Sequence, residues 1–428
     1  MTDGERTMVM DEGPGVLDWR TTGLWVPDGE LTEASLVSRG ASLFDGTFTW
    51  PVMVLRRTAL ERNVATMAEY CARHGLSFAP HGKTTMAPAL FDAQLAAGAW
   101  GITVATGNQL LAARRMGVRR ILVANELLDT GVLTWLAREL DTDPGLEVLF
   151  YVDSPQGIDA AAAAFAAAGG RRPLSVLVEV GYDGGRTGVR TVPGAVDLAR
   201  RVAATTGLRL AGAAGYEGGL ASVDEARSFL ETLREAASLM PFEAGSRPIV
   251  SAGGSAYFDV VVDVLSRGWP TTSTPAYGRP EVVLRSGAYV SHDDGVYQKK
   301  TPFNRVSDEG GLVAALEVWA QVTSTPEPGR AIVGMGKREA PYDEGLAVPR
   351  AVRRASSAVV EPASDALVLA RINDHHGYLD VPADMEPLVP GDLVRFGISH
   401  PCTAFDRWRA IAVLEDDDTV SGVVRTYF

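Results

Sequence analysis

The 428-residue chain predicts an α/β protein in two parts, a (β/α)8 TIM-type barrel and a mainly antiparallel β domain. Eight apolar runs, each bounded by Gly, Asp or Asn, alternate with helical stretches between Ser77 and Val290. Continuous apolar strands joined by helical crossovers mark a parallel sheet covered on its outer face. Neither G-x-G-x-x-G nor a Walker A sequence occurs, which argues against an open nucleotide-binding sheet. Beyond about Asp294 the texture changes to short β-prone runs punctuated by Pro and Gly.

Taken in order, Met1 to Gly15 are polar and expected to be disordered. Trp19, Trp25 and Trp50 are expected in core or interface packing. PVMVLRR, from Pro51, reads as a strand, and Thr58 to Arg73 as a helix whose Cys71 is a buried small hydrophobe. The eight barrel strands are SFAP, GITVAT, ILVANE, LEVLFYVD, LSVLVEVG, LAGAAGYEG, PIVSAGGS and VVLRSGAYV. The expected division is an N-terminal segment (1–50) packing with the β domain, a barrel (51–298), and a C-terminal β domain (299–428).

Composition narrows the function classes. Hydrophobic residues at 46% and charged residues at 22% are ordinary for a soluble globular protein. A net charge of -13 argues against nucleic acid, and no polybasic segment serves an anionic membrane. Two distant cysteines do not make a disulfide framework, and the acidic N-terminus lacks an apolar export region, so a reducing cytoplasm is expected.

The chemistry centres on SFAPHGKTTM, where a strand ends at Pro80 and delivers His81, Gly82 and Lys83 at its C-terminal mouth. An amine held there can attack an aldehyde. Downstream, SAGGS supplies flexible glycines and hydroxyls after the seventh strand, where barrels often hold a phosphate. In GISHPCTAF, His400 and Cys402 stand two residues apart and can point the same way from an extended backbone. Imidazole and thiolate together suit zinc.

PHGKT followed by QLAAGAWGITVAT resembles the D-serine dehydratase and D-threonine aldolase family of pyridoxal phosphate enzymes, which share the alanine racemase fold. The resemblance implies that Lys83 forms the Schiff base with pyridoxal phosphate and that Arg186, in VEVGYDGGRTGV, faces the pyridine nitrogen. It implies cofactor contacts from Tyr216, from Gly253, Gly254 and Ser255 at the phosphate, and from Gly287 and Tyr289 after the eighth strand. His400 and Cys402 fall on the His-x-Cys pair through which the dehydratases bind zinc, where the aldolases carry His-x-Asp. His376, in NDHHG, falls on a residue contacting substrate or metal-bound water, with His375 a weaker match. Glu217 departs from the His or Gln expected in some aldolase relatives. The implied protein is a homodimeric, metal-assisted dehydratase of a D-3-hydroxy amino acid, most simply D-serine to pyruvate and ammonia. A D-threonine aldolase-type cleavage, a racemase and a non-catalytic cofactor carrier are the alternatives.

Overall fold

The computed structural model describes residues 16–269 and 278–428; the segment expected to be disordered, 1–15, lies outside them. Short elements β1 (Val16–Leu17), β2 (Leu31–Thr32) and α1 (Glu33–Ser38) lead to β3 (Val52–Arg56) and α2 (Arg57–His74). The eight expected barrel strands follow: β4 (Ser77–Phe78), β5 (Ile102–Val104), β6 (Arg120–Glu126), β7 (Glu147–Val152), β8 (Leu174–Val180), β9 (Leu208–Gly215), β10 (Ile249–Ser251) and β11 (Glu281–Leu284). Between them run α3 (Pro88–Ala96), α4 (Gly107–Arg115), α5 (Thr130–Thr142), α6 (Pro155–Ala168), α7 (Val192–Ala204), α8 (Val223–Leu239) and α9 (Phe258–Leu265).

The crossover helices start where their sequences say they should. Thr106, Asp129, Ser154, Thr191 and Ser222 each cap a helix by accepting a backbone amide three residues on. Each such cap stabilises its helix by about 1 kcal/mol. Prolines open α3, α6 and α7, where a missing N–H costs nothing.

All eight strands pair in parallel, in the order β4-β11-β10-β9-β8-β7-β6-β5. A parallel bridge between His81 and Thr103 closes the ring, and the Thr103 hydroxyl donates to the Ala79 carbonyl at 2.6 Å. At Gly212 a Cβ would lie 1.9 Å from the Ile249 carbonyl oxygen, so only glycine lets β9 and β10 come together. Side chains alternate across each strand. Leu122, Leu149, Leu177, Ile249 and Val283 fill the interior, and one step towards the C-terminal mouth the layer turns polar, with Glu126, Glu179 and Arg285.

After α10 (Val296–Lys300) come β12 (Leu316–Glu327), β13 (Arg330–Val333), β14 (Val348–Arg353), β15 (Val360–Pro362), β16 (Val368–Ile372), β17 (Gly377–Asp380), β18 (Leu393–Gly397), β19 (Ala410–Leu414) and β20 (Val420–Arg425). They form an antiparallel sheet in the order β15-β14-β18-β12-β13-β17-β16, and β3 pairs with both β12 and β19. This moves a boundary: Val52–Arg56, expected to open the barrel, is a strand of the β domain. Leu17, Leu36, Leu43 and Phe48 pack with the fully buried Trp319 of that domain. Trp19 and Trp25, at 79% and 64% exposure, are not core residues. Among the described residues no helix is long and apolar enough to cross a membrane.

Candidate active site

The Lys83 side chain is raised by one turn of 3-10 helix, Gly82–Thr84, directly after the barrel-closing His81. A Cβ at Gly82 would lie 2.6 Å from Phe91 and 2.8 Å from Ile102. A Cβ at Gly287 would lie 2.7 Å from the His81 carbonyl and 2.8 Å from the Thr84 hydroxyl. Both glycines are therefore fixed by close approach, and the loop after β11 rests on the Lys83 turn. Lys83 is half-buried and, among the described residues, makes no ion pair. Burial, with the nearby charges of Lys83, Arg285 and Arg186, holds His81 well below the usual imidazole range, which favours the neutral ring; among the described residues its buried Nδ1 has no partner.

Arg186, after β8, is exposed and lies over the Tyr216 ring at 5.0 Å. Among the described residues no carboxylate pairs with it, leaving its donors for a ligand. Tyr216 and Glu217 follow β9. The Glu217 carboxylate accepts the amides of Gly253 and Gly254, which lie after β10, and the hydroxyls of Ser255 and Ser286 are 2.9 Å apart. Arg285, buried at the end of β11, donates to the Ser251 hydroxyl and the Gly215 carbonyl, both at 2.7 Å, and so ties three strand ends together. Tyr289 is not at the mouth. Its turn directs it to the helix side, where its ring packs on Phe78 and its hydroxyl accepts from Gln94 at 2.9 Å. That places the expected cofactor tyrosine in the core.

The β domain supplies the other half of the mouth. The segment after β11 pairs with the end of β18, through the amides of Asp294 and Val296 on the carbonyls of Ile398 and Ser399. That pairing presents His400, then Cys402 in a 3-10 turn, with Cys402 Sγ 3.8 Å from Thr84 Oγ1. His400 Nδ1 hydrogen-bonds to Asp343 at 2.8 Å, an outer partner that fixes the ring. Burial works to lower the His400 pKa, but the hydrogen bond and charge of Cys402, followed by those of Asp343, raise it to about 9. His376 is exposed in the turn between β16 and β17, and no side-chain hydrogen bond joins it to Lys83, His400 or Cys402 among the described residues. Its neighbour His375 is the anchored imidazole, 2.6 Å from the Glu339 carboxylate.

Residues 55–259 match the model "Alanine racemase, N-terminal domain" and residues 315–414 the model "Putative serine dehydratase domain". The first match falls on the barrel and the second on the β domain. It is 25% identical to D-threonine aldolase of Arthrobacter sp. over 86% of its own length and 89% of the relative's. It is 27% identical to 3-hydroxy-D-aspartate aldolase of Paracoccus denitrificans (strain Pd 1222), covering 69% of this chain and 74% of that one. In fold it is similar to D-threonine aldolase from Filomicrobium marinum, with a TM-score of 0.71 at 24% identity, over 89% of this chain and 95% of that one. D-threo-3-hydroxyaspartate dehydratase from Delftia sp. HT23 gives a TM-score of 0.68 at 23% identity, over 89% and 98%.

Several residues at the mouth were not singled out from the sequence. Glu126, Glu179 and Arg285 are charges within or just after otherwise apolar barrel strands, and that contrast was the signal to find them. Asp343 stands in a loop, PYDEG, that carries no pattern.

Proposed function

We propose that this chain is a pyridoxal phosphate-dependent, metal-assisted lyase that removes the β-hydroxyl of a D-3-hydroxy amino acid, with D-serine to pyruvate and ammonia the simplest case. The observation that carries the reading is the contact between Thr84, next to Lys83, and Cys402, which brings an amine and a His-x-Cys pair to one mouth. The residues fit such a cofactor: an amine without an ion pair, an exposed guanidinium without a carboxylate, and a pair of hydroxyls beside glycines that admit no side chain.

When bound, the pyridine ring supplies an electron sink for negative charge at a substrate's Cα. Lys83 holds the cofactor and is the base for the Cα proton. Arg186, always charged and only a donor, is the partner for the ring nitrogen. His400 and Cys402 would hold zinc, which supplies Lewis-acid assistance to a departing β-oxygen. Among the described residues no group of three His, Cys, Asp or Glu side chains is arranged to hold a metal. A catalytic zinc usually takes three protein ligands and one open position, so this pair is one ligand short of that set within the described residues. Asp343 fixes the His400 ring. Two free cysteines suit a reducing cytoplasm.

The curated relatives named as aldolases favour a second reading, cleavage of the Cα–Cβ bond. One experiment separates the two. Purified protein with pyridoxal phosphate and zinc is given D-serine, D-threonine and D-threo-3-hydroxyaspartate, and keto acid, ammonia, glycine and aldehyde are measured. Keto acid with equal ammonia supports the dehydratase; glycine with aldehyde replaces it with the aldolase; neither pair sinks both.

A further inference from the structure

The loop that the sequence assigns to a phosphate already holds an anion of the protein itself. Glu217, fully buried, accepts the Gly254 amide through Oε1 at 2.7 Å and the Gly253 amide through Oε2 at 3.1 Å. Each amide has one hydrogen, so neither is left for a second anion. A phosphate laid on Gly254 would also meet the Glu217 charge. The loop is locked from the other side, because the Gly253 carbonyl accepts the Arg285 amide at 3.0 Å and Gly253 holds a left-handed φ of 93°. A Cβ at Gly253 would lie 2.4 Å from Leu284.

Donors remain beside it. The Ser255 and Ser286 hydroxyls, 2.9 Å apart, can rotate both hydrogens towards a ligand. The amides of Ser255 and Gly287 have no backbone or side-chain acceptor among the described residues. Building on the cofactor reading above, we propose that Glu217 is a positioning residue: it consumes the Gly253 and Gly254 amides and so directs the phosphate to the Ser255 and Ser286 hydroxyls and the amides of Ser255 and Gly287. Ser286 thereby becomes a phosphate-binding residue, and Gly253 and Gly254 shape the cradle rather than donate to it.

The test measures binding to cofactor-free protein by calorimetry with three probes: pyridoxal phosphate, pyridoxal, and inorganic phosphate. Ser286→Ala should weaken both phosphate-bearing probes by about tenfold, the effect of losing one hydrogen bond to a charged group, and leave pyridoxal unchanged. Glu217→Gln, which keeps one acceptor oxygen and the side-chain shape, should weaken the same two probes while the thermal midpoint shows the fold intact. If Glu217→Gln tightens phosphate binding, Glu217 is a competitor and the proposal is wrong. It is equally wrong if Ser286→Ala leaves the ratio of pyridoxal phosphate to pyridoxal affinity unchanged, or if no phosphate-bearing probe binds. Should inorganic phosphate follow the expected pattern while pyridoxal and pyridoxal phosphate add nothing to it, the cofactor reading fails and the cradle stands.

Discussion

The Thr84 hydroxyl lies 3.8 Å from the Cys402 sulfur, although 318 residues separate them. One residue belongs to the turn that raises Lys83 and the other to the turn that follows His400. The two chemistries assigned to this chain therefore share one surface, and neither domain alone would carry both.

This relationship makes the metal testable through its support as well as its ligands. Asp343→Asn keeps an acceptor oxygen near His400 Nδ1 but removes the charge. Losing such an outer partner should lower zinc affinity by about 10–100-fold. Cys402→Ala should lower it further and suppress keto acid formation, while the bound pyridoxal phosphate absorbance remains. Metal content by plasma spectrometry, read beside turnover, checks both; full turnover at zero metal occupancy would remove zinc from the reaction.

Lys83 should be the site of covalent cofactor attachment. Borohydride reduction in the presence of pyridoxal phosphate, followed by peptide mapping, should place the label on Lys83, and Lys83→Ala should lose nearly all turnover. A label on another lysine would refute the assignment.

Arg186 lies over the Tyr216 ring and, among the described residues, makes no ion pair that would compete with a ligand. Removing one positioned electrostatic group typically costs about 10²-fold in rate. Arg186→Ala should therefore lower turnover by about that factor while the protein still binds pyridoxal phosphate. Unchanged kinetics would place Arg186 outside the site.

Much of the architecture was legible because barrel strands buried on both faces read as unbroken apolar runs, and each of the eight became a strand. Where legibility failed, the missing information was three-dimensional. Val52–Arg56 has the same composition as a barrel strand, and only pairing with β12 and β19 assigns it to the other sheet. Tyr289 follows a barrel strand at the correct end, yet the turn geometry decides whether its side chain faces the mouth or the helices. His375 and His376 are adjacent in the β16–β17 turn, and the Glu339 carboxylate that meets His375 lies 36 residues away in sequence. Tyr289→Phe tests the core assignment: it leaves the buried Gln94 amide without its acceptor, which should cost about 1–3 kcal/mol in denaturant unfolding. Cofactor affinity should not change.

The polar layer inside the barrel predicts a pH dependence of stability. Glu126 on β6 and Glu179 on β8 flank Tyr151 on β7, and among the described residues all three have a buried oxygen without a donor. Neither carboxylate makes an ion pair among the described residues, and each raises the cost of charging the other. Burial, then the hydrogen bond and charge of Glu179, push Glu126 up from an ordinary 4.5 to about 8. The folded state thus keeps a proton that the unfolded chain releases near pH 4.5. Because stability falls with pH wherever the folded state binds more protons, this contribution is complete below about 4.5 and is lost as pH rises through 8. Glu126→Gln, neutral at every pH and still able to donate to Glu179, should flatten the stability profile across that window. Relative to the parent protein it should gain stability most at pH 8 and above. Denaturant midpoints at pH 5, 7 and 9 supply the measurement, and parallel profiles for the two proteins would show that Glu126 is ionised in the folded state throughout.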